Sequence, residues 1–318
     1  MISLIQLGTL DYVTGLRLQE KLVALRKENK IGDVLLLLEH PPVITLGRNA
    51  KAANVIASPE LLAQKDVELF ETDRGGDVTF HGPGQIVGYP IFDLRGYATP
   101  DGKRKTLGVV DFVRRLEDVL IRTCADFAIP AKRVPGLTGV WTDPPPQSST
   151  NPLISNDPLS SRAEENDSQN RSLKSRDLLF AGAATNHVGT AAPGCPVERS
   201  STAVACEAKL AAIGVHISRF VTSHGFALNV NNDLSFFNLI IPCGIAAKPV
   251  TSMQKELGKP LDMNAVAESI SRNFGTVFQM QMLWLDSLDD LLGESVGVPM
   301  KPPAELRQLH KEDDTTWA

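Results

Sequence analysis

Cysteine is scarce in this chain: four in 318 residues, at positions 124, 195, 206 and 243. None forms a C-x-x-C, so the sequence supplies neither a disulfide framework nor a ligand set for a structural zinc. Long apolar runs are missing too. The densest, Val34 to Leu38, is far too short to span a bilayer. Met1-Ile-Ser-Leu-Ile has neither the basic start nor the apolar stretch of a signal peptide. Positive charge is not in excess: 32 basic against 37 acidic residues leave a formal charge of −5, which gives no support to nucleic-acid binding. A phosphate loop is absent as well. No G-x-x-x-x-G-K-[ST] occurs, and after Gly82 and Gly84 the third G-x-G-x-x-G position holds Val87. No internal repeat is visible. The expectation is a soluble, cytoplasmic protein without nucleic acid, membrane or metal among its partners. Its 42% hydrophobic content is enough for a substantial core.

The patterning predicts strands and helices in irregular order. Met1 to Gly8 reads as a strand, and Asp11 to Asn29 as a helix with one buried face and Gly32 as its stop signal. Val34 to Leu38 is a buried strand ended by Glu39-His40-Pro41-Pro42. Ser58-Pro59-Glu60 is an N-cap with proline at the first helical position. Tyr89 to Leu94 reads as a strand, Thr106 to Phe127 as a long helix on Val110, Val113, Leu116 and Leu120, and Thr138 to Trp141 as a strand. Ala208 onward gives two strands separated by Phe220 to Ser223, then an apolar strand before Cys243 and a helix around Ala265 to Phe278. Without a regular β-α alternation, the fold class is α+β, a mixed sheet with surrounding helices. Composition changes from Pro144, where proline, serine and asparagine dominate with little periodicity. Residues 144–207 are expected to be an insertion in a single catalytic domain of 1–143 and 208–285, with 286–318 a loose acidic tail. Lys103-Arg104-Lys105, with Arg114 and Arg115, is the densest basic cluster. It reads as a solvated face that could also dock an acidic carrier protein.

Chemistry concentrates in Asp73 to Tyr89, D-R-G-G-D-V-T-F-H-G-P-G-Q-I-V-G-Y. Glycine at this density costs backbone entropy, and suits a place where backbone approaches a ligand closely. Turns alone would account for the glycines, but they leave Arg74, Thr79, His81 and Gln85 unexplained. This stretch, together with L-E-H-P-P-V-I-T-L-G-R at 38–48, resembles the lipoate-biosynthetic octanoyltransferases. That family moves an octanoyl group from acyl carrier protein to a lysine of a lipoyl-accepting domain. The resemblance implies a biotin/lipoate protein ligase-like fold with only a short connection where residues 144–207 stand here.

By itself Cys243, in I-I-P-C-G-I, reads as a buried structural cysteine, and Lys209 as a solvated strand end. Downstream of A-K-L-A-A-I-G and H-G-F-A-L-N-V, P-C-G resembles the family's acyl-accepting cysteine, and Lys209 the lysine paired with it. The resemblance also implies an acyl site lined by Arg74, Gly75, Gly76, Asp77, Val78, Thr79, Phe80 and His81, by Ala212, Ile213 and Gly214, and by Gly225, Phe226 and Ala227. His81 would orient the site, and His224 would sit near it. Cys124 is assigned to the core. An ordinary thiol is only a few per cent thiolate at pH 7. A lysine ammonium ~4 Å away would favour the thiolate by up to about 4 kcal/mol at an effective dielectric of ~20.

The implied donor is octanoyl-acyl carrier protein. The implied acceptors are lipoyl domains of 2-oxo acid dehydrogenase acyltransferase subunits and the glycine cleavage H protein. Thioester to amide runs downhill, so no cofactor is required. Three other readings compete. An ATP-dependent lipoate or biotin ligase on the same fold would not use Cys243. A non-catalytic binder would not keep both Lys209 and Cys243, and a cysteine hydrolase would want a histidine oriented by Asn or Asp.

Overall fold

The computed structural model describes residues 1–99, 102–103, 106–143, 207–245 and 248–292. Strand β1 (Ile2–Thr9) leads into helix α1 (Tyr12–Lys27), capped by Asp11, whose carboxylate accepts from the Thr14 amide. The central strand β2 (Asp33–Glu39) follows, then β3 (Val43–Leu46) and the short helix α2 (Pro59–Gln64), capped by Ser58 as its sequence predicts. Three strands come next: β4 (Glu68–Glu71), β5 (Val78–His81) and β6 (Gln85–Ile91). Helix α3 (Val109–Asp126) precedes the short strands β7 (Ala131–Lys132) and β8 (Val140–Thr142). The long hairpin β9 (Ala208–Ser218) and β10 (Val221–Asn229) is followed by α4 (Met253–Leu257), α5 (Met263–Phe278), β11 (Met282–Leu285) and α6 (Leu288–Leu292).

The strands form two sheets. Eight run in the order β11-β1-β2-β6-β10-β9-β8-β7, and three in the order β4-β3-β5. Parallel pairing of β1 with β2 and β11, beside antiparallel pairing elsewhere in the large sheet, makes it mixed. The all-apolar run of β2 follows from its central place. Leu35 and Leu37 pack with α3 and α5 on one face, through Phe112, Leu116, Phe274 and Phe278. Val34, Leu36 and Leu38 pack with Leu18 and Leu22 of α1 on the other. The small sheet has its own cluster, including Ile44, Val78, Phe80 and Phe237. Cys124 is fully buried in the α3–α5 layer, and burial pushes its thiol up to about 12. No helix among the described residues is long and apolar enough to cross a membrane.

Several boundaries differ from the sequence reading. Helix α1 ends at Lys27 rather than Asn29, and its stop signal is Asn29 rather than Gly32, because Asn29 adopts φ 54° and the Lys30 amide returns to the Leu25 carbonyl. Val110 is 66% exposed, and Phe112 takes the buried position at the start of α3. The separator Phe220 to Ser223 shrinks to a two-residue turn. Arg219 and Phe220 have φ 49° and 71°, a mirror-image hairpin turn without its usual Asn-Gly signal. Strand β6 starts at Gln85, four residues before the expected Tyr89. The segment before Cys243 is a 3-10 helix (Leu234–Leu239), with a single bridge from Ile240 to Val55 in place of a strand. Strand β11 was not foreseen, since four residues beside a helix carry no readable period. Of the basic cluster, Arg114 pairs with Glu117 and Arg115 reaches the Ala98 carbonyl, whereas Arg104 and Lys105 lie outside the described residues. Residues 144–206, with Cys195 and Cys206, and the tail from 293 also lie outside them.

Where the chain leaves and re-enters the sheet, Thr142 on β8 stands opposite Ala208 on β9. Lys132 forms ion pairs with both Asp143 and Glu207, closing the two ends together. Deleting residues 145–197 and joining the ends by a short turn should therefore leave soluble, active protein, since closure entropy changes little with loop length. Soluble yield and acyl-transfer rate check this. Insoluble protein, or a folded variant with most activity lost, would mean that the segment is part of the working fold.

Candidate active site

Cys243 occupies a tight turn, Pro242–Gly244, and takes φ 55°, ψ 22°, a left-handed conformation that non-glycine residues avoid. Such a residue costs roughly 1–2 kcal/mol, so its neighbours must hold it. They do so from two directions. The Ile241 amide donates to the Asn54 carbonyl (2.7 Å), and the Asn54 side chain donates to Asp77 Oδ2 (2.7 Å). Asp77 Oδ1 accepts from the amides of Val78 (2.7 Å) and Lys51 (3.3 Å). Gly244 lies so close to this carboxylate that an added Cβ would sit 2.6 Å from Oδ2.

Lys209 enters from β9. Its backbone is fixed on one side by Pro249 and Thr251, through hydrogen bonds of 2.8 and 2.9 Å, and on the other by pairing with Trp141. The side chain is 8% exposed and its Nζ stands 2.9 Å from Cys243 Sγ, with the Trp141 ring 5.2 Å away. Gly139 (φ 115°) makes room for it: a Cβ there would meet Lys209 Cε at 3.0 Å and the Ala211 carbonyl oxygen at 2.4 Å. The Gly139 amide is held by Glu117 Oε1 (3.1 Å), a fully buried carboxylate on α3 whose charge is met by Arg114 (2.6 Å) and Arg133 (2.9 Å).

The pair opens onto a cavity of about 200 Å³, larger than the ~150 Å³ apolar void that admits benzene. One wall is β9–β10, where Ala212 faces Ala227 and Gly214 faces Gly225. Small residues are required here, because a Cβ on Gly214 would strike the Gly75 carbonyl oxygen at 2.5 Å. The facing wall carries Arg74, Gly75, Gly76, Asp77, Thr79 and His81. No cluster of three or more His, Cys, Asp or Glu among the described residues could hold a metal ion.

Comparison with known proteins now places the chain. Residues 11–275 match the family described as the lipoyl protein ligase A/B catalytic domain. An octanoyltransferase of Koribacter versatilis is 49% identical over 313 residues, covering 98% of each chain. One of Acidobacterium capsulatum is 46% identical, covering 92% of this chain and 97% of its own.

This chain belongs to the octanoyltransferase family.

Among solved structures, the bipartite lipoate protein ligase of Thermoplasma acidophilum superposes with a TM-score of 0.53, covering 91% of this chain and 88% of that one. At 9% identity the likeness is one of fold.

For a family member, the histidines are informative. His40 Nδ1 donates to the Leu10 carbonyl (2.6 Å), which can only accept, so Nε2 takes the Tyr89 hydroxyl proton (2.7 Å). His81 Nδ1 donates to Gln85 Oε1 (2.8 Å), because the Gln85 amide nitrogen is committed to Phe80 and Asn229. The bare Nε2 of His81 is thus an acceptor in the cavity wall. Burial lowers His40 to about 4 and His81 to about 3, so both rings are neutral. Arg74 is buried as well, and burial lowers it from its ordinary value. Its guanidinium donates to Thr45 Oγ1, the Thr45 carbonyl and the Gly75 carbonyl, with no carboxylate partner among the described residues. Its positive charge is left as a fixed feature of the cavity.

Two of the expected lining residues point elsewhere. Strand alternation sends Thr79 and His81 to the cavity but Val78 and Phe80 to the small sheet's core, where Phe80 stacks on Phe236 at 4.9 Å. The side chains of Ile213 and Phe226 border the cavity while packing into the α3–α5 layer. Asp77 borders it too, and its carboxylate is spent on the cysteine turn. Sequence reading missed Tyr12, Val87, Tyr89, Ile245 and the turn Gly136-Leu137-Thr138, all of which line the cavity. Only the turn carried a signal, the spacing of Gly136 and Gly139. Asp73 and His216 were also unassigned; Asp73 meets the cavity-lining His224 with one carboxylate oxygen and His216 with the other.

Two outcomes follow from this geometry. Lys209→Ala should fold and should slow iodoacetamide alkylation at Cys243 about tenfold or more at neutral pH, read by peptide mass mapping. Equal rates would show that the ammonium does not act on the sulfur. For the histidines, the unfolded rings titrate near 6.5 and the folded ones near 4 and 3, so the unfolded state binds more protons between these values. Stability is full above about pH 6.5 and is lost as the pH falls toward the folded values. A melting midpoint that stays flat over that interval would show that the folded rings take up protons as readily as the unfolded ones.

Proposed function

We propose that this octanoyltransferase-family enzyme carries the acyl group as a thioester on Cys243 while moving it from acyl carrier protein to a lysine of a lipoyl-accepting domain. The observation that carries this reading is the 2.9 Å contact between Lys209 Nζ and Cys243 Sγ at the head of a cavity of alkyl-chain size. The Cys243 thiolate attacks the carbonyl carbon of the donor thioester, and the C–S bond to the carrier's phosphopantetheine arm breaks. The departing sulfur takes a proton from the Lys209 ammonium. One thioester replaces another, so this step is nearly isoenergetic.

The incoming acceptor lysine reverses the proton flow. Its amine is nucleophilic only when neutral, and the Lys209 amine, now unprotonated, takes the proton it sheds. The amine attacks the Cys243 thioester, the amide forms, and the thiolate returns as leaving group beside the restored ammonium. Arg74 adds a permanent positive charge to the cavity in which oxygen becomes anionic. Residues 1–143 and 208–285 supply this chemistry as one catalytic domain. The donor is octanoyl-acyl carrier protein. The acceptors are lipoyl domains of 2-oxo acid dehydrogenase acyltransferase subunits and the glycine cleavage H protein, as the resemblance of R-G-G-D-V-T-F-H-G-P-G-Q and P-C-G implies.

Intact mass spectrometry tests the intermediate. With octanoyl-carrier protein and no acceptor, the enzyme should gain one octanoyl mass on Cys243 without ATP, and a lipoyl domain should discharge it as an amide. Cys243→Ala should abolish both events, whereas replacing Cys124, Cys195 or Cys206 singly should cost little. Near-normal transfer by Cys243→Ala, or labelling only with ATP, would replace this reading with an adenylating ligase.

A further inference from the structure

We infer that His224 is the end wall of the acyl site and sets the length of chain that the enzyme accepts, an inference that rests on the transferase reading above. Three observations converge. The first is position. His224 pairs with Val215, six residues along β9 from Lys209. It lines the same cavity as Lys209 and Cys243, together with the buried rings of Tyr12, His81 and Tyr89.

The second is what lies behind it. His224 borders both the catalytic cavity and a neighbouring one of about 480 Å³. Leu16, Val23 and Ala24 of α1 give that second space an apolar side. His224 is therefore shared by the alkyl pocket and the additional room beside it.

The third is how firmly the ring is held. Strand alternation would send the His224 side chain to the face of Phe226 and Leu228. Its φ of 56° turns it instead toward α1 and the Asp73 loop. There its backbone amide donates to Gln19 Oε1 (2.7 Å) and its Nε2 meets Asp73 Oδ1 (2.6 Å). The other Asp73 oxygen meets His216 Nδ1 (2.5 Å), and Arg48 donates to His216 Nε2 (3.3 Å). The hydrogen bond from His224 is the main cause that holds the Asp73 carboxyl down at about 2, so the clamp stays ionised near neutrality. A left-handed histidine is a strained choice for a strand interior, and strain of this kind persists where the surroundings over-determine it. The wall is built to stand still.

The test compares acyl-enzyme formation from carrier proteins bearing 8-, 10-, 12- and 14-carbon chains. His224→Gly suits the positive φ and removes the ring. It should raise the ratio of 12-carbon to 8-carbon labelling about tenfold or more. Asp73→Ala changes a residue that is 53% exposed at its side chain, so the fold is not at stake. By freeing the ring it should move the same ratio in the same direction by less. A purely structural role for His224 would lower all chain lengths together. Unchanged ratios in both variants, with wild type labelled by the 8-carbon donor, overturn the wall and leave the transferase reading intact. Wild type that takes no label from the 8-carbon donor overturns both.

Discussion

A cysteine in left-handed backbone has to be kept there, and the arrangement of this site follows from that constraint. The turn at Pro242–Gly244 belongs to no regular strand. Its geometry is imposed by Asn54 and Asp77, which belong to the small sheet's loops, and by the left-handed glycine that follows the cysteine. Cys243 is thus mounted on the small sheet's side and Lys209 on the large sheet. The 2.9 Å contact between them is where the two meet. Gly75 and Gly214 serve the same meeting, since side chains there would hold the loop and the sheet apart.

The electrostatics divide the cavity by distance from the sulfur. Next to Cys243 stands the Lys209 ammonium, with the buried and unpaired charge of Arg74 in the same cavity. Neutral rings line it elsewhere: His81 is held uncharged by burial, and Tyr12 and Tyr89 are raised by it, with a neutral His40 packed against all three. A polar reacting head and an uncharged tail find matching surroundings without any side chain having to move. Full charge returns at Asp73, against His224.

Much of this was legible in the sequence because it lay in contiguous motifs. Asp73 to Tyr89 and Pro242-Cys243-Gly244 carry their chemistry in residue order, and β2 announces itself as a strand buried on both faces. What escaped has physical reasons. Val78 and Phe80 sit in the right motif but on the wrong side of a pleat, which a motif does not resolve. Tyr12 reaches the cavity from a helix end 231 residues before Cys243 in sequence, and helical periodicity only marks it as buried. The Arg219-Phe220 turn lacks the residues that make such turns cheap, so the hairpin was drawn too loose. His224 was placed near the site, but its flipped orientation depends on a single dihedral angle.

The double ion pair at Lys132 has a mechanical meaning. Glu207 is two residues from Lys209, so any pull on the chain before it would be delivered almost directly to the lysine that contacts Cys243. Asp143 and Glu207 are tied to one lysine on β7, and Glu207 is tied again to Lys248. Such a knot acts as the strain relief on a cable does. Force arriving along the intervening segment is discharged into the sheet edge before it reaches Lys209.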